Sequence, residues 1–204
     1  MSKLFSSKYH AKESGEYEPG SNELVLKNLQ GITSKEDIDQ AEVKGYTEAF
    51  DFMINNFSSD QQLAISDIDE IHRVFFGNLY SWAGKHRSVN LTKDSFTFPA
   101  AQFLEQTLAQ FENDILKPNT PCHGSRYETV RMIASVHLEL LFIHPYREGN
   151  GRTARLIATL MAFQAGYSGF DWKILERKFN QYVRSIQKLD LELMCTLLDE
   201  GLLD

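Results

Sequence analysis

Between Tyr127 and Ile143, apolar side chains fall on nearly every face of a helical wheel: Val130, Met132, Ile133, Ala134, Val136, Leu138, Leu140, Leu141 and Ile143. A helix with no polar face cannot lie on a surface, so other elements must surround it. The flanking chain supplies candidates at helical stride. Asn22 to Gly31 reads as a short first helix, apolar at Leu24, Val25, Leu26 and Leu29 and stopped by Gly31. Thr33 and Glu36 form a capping-box pattern that opens a long helix through Ile38, Ala41, Gly45, Ala49, Met53 and Phe57. Ser66 and Asp69 open the next, through Ile68, Ile71, Phe75, Leu79 and Trp82 to near Gly84. Leu104, Leu108, Phe111 and Ile115 mark another, ended by Pro118 and Pro121. Beyond the central helix, Arg152 to Ala165, Trp172 to about Gln187 and Leu189 to about Leu198 continue the pattern.

One segment breaks the stride. From Arg87 to Pro99, Val89 and Leu91 alternate, a polar four-residue stretch follows, and Phe96 and Phe98 alternate again, which reads as a small β-hairpin and is the only convincing strand signal in the chain. A lone hairpin is marginal in water, so it either packs on the helices or waits for a partner strand. The expected fold class is all-α with this one hairpin. Residues 1–20 are polar and read as an N-terminal arm, and 21–204 as one domain long enough to bury its own core.

A net charge of −7 argues against a protein that grips phosphate backbones, which needs many Lys and Arg, so no direct nucleic-acid partner is expected and any bound nucleotide should be small. No apolar run approaches the length of a membrane span. Cys122 and Cys195 match no metal-ligand or redox spacing and fit a reducing compartment. A cytoplasmic location follows as the expectation, with delivery into another cell left open.

The chemistry is concentrated at one corner, "FIHPYREGNGRTAR", Phe142 to Arg155. A residue before proline is pushed out of the helical region, so the central helix should end at His144 and hold its imidazole at a rigid helix end. Gly149 and Gly151 flank Asn150 where the next helix begins, allowing several N–H groups to point at one spot, an arrangement that binds phosphate. Arg152 and Arg155 project from one face of that helix, and arginine's fork matches two phosphate oxygens. Glu148 beside such a site would be repelled by phosphate unless a cation, typically Mg²⁺, lay between them. His144 is the natural proton acceptor, and the segment supplies no serine or cysteine nucleophile, which favours direct transfer to an incoming hydroxyl. Among the other histidines, His137 reads as a satisfied core or helix-face residue, and His10, His72, His86 and His123 as surface or supporting residues.

These residues resemble the Fic-domain signature H-x-F-x-[DE]-G-N-G-R-x-x-R, with Tyr146 in place of Phe as the only departure, one that keeps an aromatic anchor and should matter little. The resemblance runs from "NLQGIT" through "LYSWAGKHRSVNLTKDSFTFP" to "LDLEL". It implies a Fic-like helical domain with a hairpin flap that moves AMP from ATP to a Ser, Thr or Tyr hydroxyl of a target protein and releases pyrophosphate. By the same resemblance His144 is the base, Glu148 the Mg²⁺ ligand, Asn150 with Gly149 and Gly151 the anion hole, and Arg152 and Arg155 the holders of the β- and γ-phosphates. Leu91, Phe96 and Phe98 frame the target-docking surface of the flap, and Thr92 and Lys93 face the nucleotide. A Fic-like phosphotransferase and a dormant nucleotide-binding or docking module are the alternatives. "TLLDEG", Thr196 to Gly201, matches the family's inhibitory pattern and makes Glu200 a candidate inhibitor. A separate small inhibitory protein, as an antitoxin restrains a toxin, is the other option. Arg147 has no assigned role.

Overall fold

The computed structural model describes residues 16–93 and 96–204. Among them are eight α-helices, α1 (Lys35–Asn56), α2 (Ile65–Phe76), α3 (Leu104–Phe111), α4 (Arg126–Ile143), α5 (Asn150–Gln164), α6 (Lys173–Arg177), α7 (Phe179–Lys188) and α8 (Leu191–Gly201). The all-α expectation holds, with two small antiparallel pairings added: β1 (Thr92–Lys93) with β2 (Phe96–Thr97), and β3 (Gly169–Phe170) with β4 (Leu202–Leu203).

The centre is α4. Ser125 caps it, its hydroxyl accepting from the Glu128 amide at 3.4 Å while Glu128 accepts from the Ser125 amide at 2.8 Å. Helices α3, α5, α7 and α8 all pack against it, as an apolar helix without a polar face requires. Ile133, Ala134, Val136 and Ile143 are fully shielded from solvent. Helix α5 is almost as enclosed, lying between α4 and the α1–α2 pair. The two enclosed helices are joined through residues 144–149.

Several boundaries differ from the sequence-based expectation. Helix α1 is capped by Ser34, not Thr33; its hydroxyl accepts from the Asp37 amide at 3.3 Å. Helix α2 starts earlier, where the Asp67 carboxylate accepts from the Ala64 amide at 2.8 Å, and it ends at Phe76 rather than near Gly84. Beyond it the chain folds back in turns, because the His72 Nδ1 accepts from the Gly84 amide at 2.8 Å. Gly84 sits at φ +70°, where a Cβ would also lie 2.8 Å from that of Arg73. The last long stretch divides at Lys178 into α6 and α7.

The expected helix at 22–31 is absent. Asn22 and Glu23 adopt left-handed backbone, and residues 16–27 form a turn closed by Glu18 N–H to Val25 O and Lys27 N–H to Glu16 O, each 2.9 Å. Of its apolar set, Val25 is buried and Leu26 packs partly buried against the core, while Leu24 and Leu29 remain 48% and 62% exposed, so helix formation would gain little burial. Of the arm at 1–20, only residues 16–20 are among the described ones. The β3–β4 pairing corrects the reading that one hairpin was the only strand signal: strands of two residues are too short to show alternation.

Truncating a side chain inside α4 should therefore cost far more than truncating one on the apolar-looking N-terminal turn. Ile133→Ala is expected to lower unfolding free energy by about 2–5 kcal/mol and Leu29→Ala by about 0.5 kcal/mol or less, checked by urea titration of both variants.

Candidate active site

The α4–α5 corner faces a cavity of about 330 Å³. Its lining includes Leu141, His144, Glu148, Gly149, Gly151, Arg152 and Arg155 from the corner, Lys93, Phe96 and Phe98 from the hairpin, and a wall from α7. The sequence places these three groups far apart, and the fold brings them to one space.

His144 ends α4 as expected, but in left-handed backbone (φ 56°, ψ 60°), a conformation that non-glycine residues adopt rarely and histidine more readily than most. Its Nδ1 lies 2.9 Å from the Leu141 carbonyl, which can only accept, so the proton is on Nδ1 and the basic lone pair on Nε2. Burial pushes its pKa down to about 3, the Leu141 carbonyl opposes this, and the charges of Arg87 and Lys93 add to the depression. The imidazole is neutral at physiological pH and able to take a proton. Phe98 stacks on it at 3.9 Å between ring centroids.

Gly149 caps α5 at φ +82°, and a Cβ there would lie 2.2 Å from the Phe76 ring, so no other residue fits. At Gly151 a Cβ would meet nothing within 4 Å, consistent with open space over the first turn of α5, whose N–H groups have no carbonyl one turn earlier to bond. Asn150 departs from its expected role. Its Oδ1 accepts from the Tyr146 amide and its Nδ2 donates to the Tyr146 carbonyl, both at 2.8 Å, so the side chain staples the loop and does not line the cavity.

Glu148 lines the cavity with a carboxyl pushed above its usual range by burial, against the pull of Arg152 and of the Gly149 N–H at 2.9 Å. Arg152 donates to Glu42 at 2.6 Å and lies 4.0 Å from Glu148, with its guanidinium 5.1 and 5.0 Å from the Phe75 and Phe76 ring centroids. Burial works against its charge, and the two carboxylates more than restore it. Arg155 lies over Trp172 at 5.4 Å. Arg147 pairs with Glu16, which ties the N-terminal turn to the loop.

The hairpin is narrower than 87–99, with Thr92 opposite Thr97 and Lys93 opposite Phe96. Lys93, Phe96 and Phe98 reach the cavity; Thr92 does not. Leu91 is fully buried in a small cluster with Phe98, Val89 and Phe96, so it is the hairpin's own core rather than part of a docking surface. Glu200 lies on α8, where Lys178 donates to it at 2.6 Å; it is not among the cavity-lining residues and does not meet Arg155.

Four supporting elements escaped the sequence reading, and a fifth, His72, was left between surface and supporting. Glu42, on α1, holds Arg152 and also accepts from the Tyr80 hydroxyl at 2.7 Å. Of the surface and supporting readings of His72 the structure takes the supporting one: it is fully buried, stacks on Tyr146 at 3.7 Å, and its Nε2 donates to the Glu148 carbonyl at 3.1 Å. Asp69 accepts from the Tyr146 hydroxyl at 2.7 Å, so the tyrosine that departs from the motif is bonded as well as packed. Arg87 joins the hairpin to the corner. Helix α7 contributes Phe179, Asn180, Tyr182, Val183 and Ile186 to the cavity wall. Only Tyr182 carried an indirect signal, since His137 reads as a satisfied core histidine and its Nε2 bonds the Tyr182 hydroxyl at 2.8 Å.

The fold and site define a helical domain with a cavity at a helix–helix corner, lined by a buried neutral histidine, a carboxylate, two arginines and a hairpin. The chain belongs to the Fic/DOC family, whose model matches residues 62–162. It is 31% identical over 76% of its length to the protein adenylyltransferase VbhT of Bartonella schoenbuchensis, and 30% identical over 70% to the protein adenylyltransferase Fic of Nematostella vectensis. It spans about a third of each of those relatives: 32% and 33%. It covers 87% of the probable protein adenylyltransferase y4lH of Sinorhizobium fredii at 28% identity. In fold it is similar to Bartonella tribocorum BepC with bound AMPPNP, at a TM-score of 0.76 and 21% identity, covering 95% of this chain and 98% of that one.

One pH dependence follows from the wall behind Tyr146. The Asp69 carboxylate, 3.0 Å from His86 Nε2, raises that imidazole's pKa to about 9 against the cost of burial, and Glu105 at 2.8 Å adds to it. A raised folded pKa gives stability that is complete below the unfolded value near 6.5 and is lost as pH rises through about 9. Glu105 is largely exposed and screened, so about 1–2 kcal/mol should disappear between pH 6.5 and 9. His86→Gln should flatten urea midpoints across that window.

Proposed function

We propose that this domain transfers AMP from ATP to a Ser, Thr or Tyr hydroxyl of a target protein and releases pyrophosphate. The observation that carries the reading is the convergence of His144, Glu148, Gly149, Gly151, Arg152 and Arg155 on one cavity that Phe96 and Phe98 of the hairpin also line. The names of the relatives, protein adenylyltransferases, support it.

In this reading the phosphates lie over the first turn of α5, with Arg152 and Arg155 on the β- and γ-phosphates. The nucleoside then takes the α7 side, where Phe179, Val183 and Ile186 offer apolar surface and Asn180 and Gln187 offer amides. The target segment adds to the hairpin through backbone hydrogen bonds. Its hydroxyl oxygen attacks the α-phosphorus, the bond from that phosphorus to the α–β bridging oxygen breaks, and the hydroxyl proton passes to His144 Nε2. The arginines stabilise the charge that collects on the departing pyrophosphate. A pKa near 3 makes His144 a weak base in the ligand-free protein. The negative charge of the nucleotide shifts it upward, toward the range where proton transfer is efficient.

A divalent cation fits the donors present. Glu148 offers one hard carboxylate inside the cavity, and no cluster of three or more acidic, histidine or cysteine ligands exists among the described residues, which suits Mg²⁺ shared with phosphates and water rather than an all-protein cage. Glu148 would hold the ion, and when bound it neutralises phosphate charge.

Incubation of cell lysate with ATP labelled at the α-phosphate should label protein, and His144→Ala should reduce the rate by about 10²–10⁴-fold. Label arriving instead from the γ-phosphate would assign a phosphotransferase. Tight ATP binding with no transfer of either label would assign a docking module.

A further inference from the structure

Arg87 has an unusual set of partners. Its Nε donates to the His144 carbonyl at 2.7 Å and its Nη2 to the Ile143 carbonyl at 3.3 Å, both at the end of α4. Its Nη1 donates to Val89 O at 2.8 Å and its Nη2 to Pro99 O at 2.6 Å, one on each stem of the hairpin. Its own amide donates to Pro145 O at 2.8 Å. A single guanidinium thus bolts both legs of the hairpin to the backbone of the base.

The residue is only 5% exposed, and among the described residues no carboxylate pairs with it. Its charge is matched by carbonyl dipoles alone, gathered where the α4 dipole is negative. Burial without a counter-ion lowers its pKa to about 10, which leaves it charged at neutral pH. A side chain serving stability alone has little reason to carry a buried charge there, since last-turn carbonyls are ordinarily satisfied by a glycine cap, neutral donors or water. A planar fork with donors on three nitrogens, by contrast, spans two elements and fixes their distance and angle together; an ammonium cannot.

We propose that Arg87 is a positioning residue for the transfer reaction: it locks the hairpin to the His144 backbone so that a hydroxyl presented by a docked target segment falls at the base. The inference rests on the adenylyl-transfer reading above. The stacking of Phe98 on the His144 ring is the visible result of that lock, because Phe98 follows the strand and immediately precedes Pro99, whose carbonyl Arg87 holds. None of Arg87's hydrogen bonds goes to α5, so nucleotide affinity and transfer rate should separate when it is changed.

The test compares the full chain with Arg87→Lys and Arg87→Ala. In each, AMPPNP binding is titrated, thermal unfolding is followed by circular dichroism, and α-labelled ATP is varied against a lysate of constant protein concentration. The maximal labelling rate is expected to fall at least 30-fold in both variants, with the AMPPNP dissociation constant and the half-saturating ATP concentration within about threefold of the parent. Millimolar guanidinium should restore part of the Arg87→Ala rate without affecting His144→Ala. If Arg87→Ala does not fold, Arg87→Lys carries the same split. Rates equal to the parent, or a fall in rate matched by an equal loss of nucleotide binding, would overturn the positioning role. If the parent protein itself transfers no α-label, it is the adenylyl-transfer reading that fails.

Discussion

The carbonyls at the end of α4 are buried, and the arrangement of the site follows from how they are satisfied. A helix that finishes inside a protein leaves acceptors that water cannot reach. Here Pro145 prevents continuation, His144 turns the chain in left-handed backbone, and Arg87 brings donors to the carbonyls of Ile143 and His144. The same guanidinium reaches both hairpin stems, through Nη1 to Val89 and Nη2 to Pro99. Satisfying a helix end and placing the hairpin beside His144 are one interaction.

The loop that follows is held with equal care. Asn150 clamps both backbone groups of Tyr146, Asp69 takes the tyrosine hydroxyl, His72 stacks on its ring and reaches the Glu148 carbonyl, and Glu16 pairs with Arg147. None of these side chains needs to touch a nucleotide. Together they fix the N–H groups and carboxylate that would, since catalytic positioning fails when a group shifts by about 1 Å. The charges are balanced in the same spirit. Glu42 steadies Arg152, burial keeps His144 neutral and lifts Glu148, and a bound polyanion with its cation would reset both.

What the sequence made legible was local. The stop at His144, the glycine at 149 and the arginines at 152 and 155 follow from rules that act within a few residues, and the α4 pattern implied a surrounded helix with no further information. What it hid was carried by packing between distant segments. Glu42 sits on a helix that reads as amphipathic, and nothing near it marks a partner 110 residues away. Arg87 opens a stretch that reads as strand, so its bonds to α4 have no sequence signature. Asn150 reads with Gly149 and Gly151 as part of an anion hole, but the fold turns its side-chain amide inward onto the backbone of Tyr146. Leu91 was misplaced for the opposite reason, since alternation says which residues share a face but not which face is covered. The helix expected at 22–31 failed because Leu24 and Leu29 stay in solvent.

Adenylyl transfer requires the α-phosphate, not the γ-phosphate, to lie beneath the hairpin next to His144. A crystal structure of the protein with Mg²⁺ and α,β-methylene ATP, which cannot be cleaved at the reacting bond, tests it directly. The α-phosphate is expected nearest His144 Nε2, the β- and γ-phosphates over the first turn of α5 with Arg152 and Arg155, and the nucleobase against α7. A nucleotide bound in the reverse sense, with its γ-phosphate at His144, would contradict it.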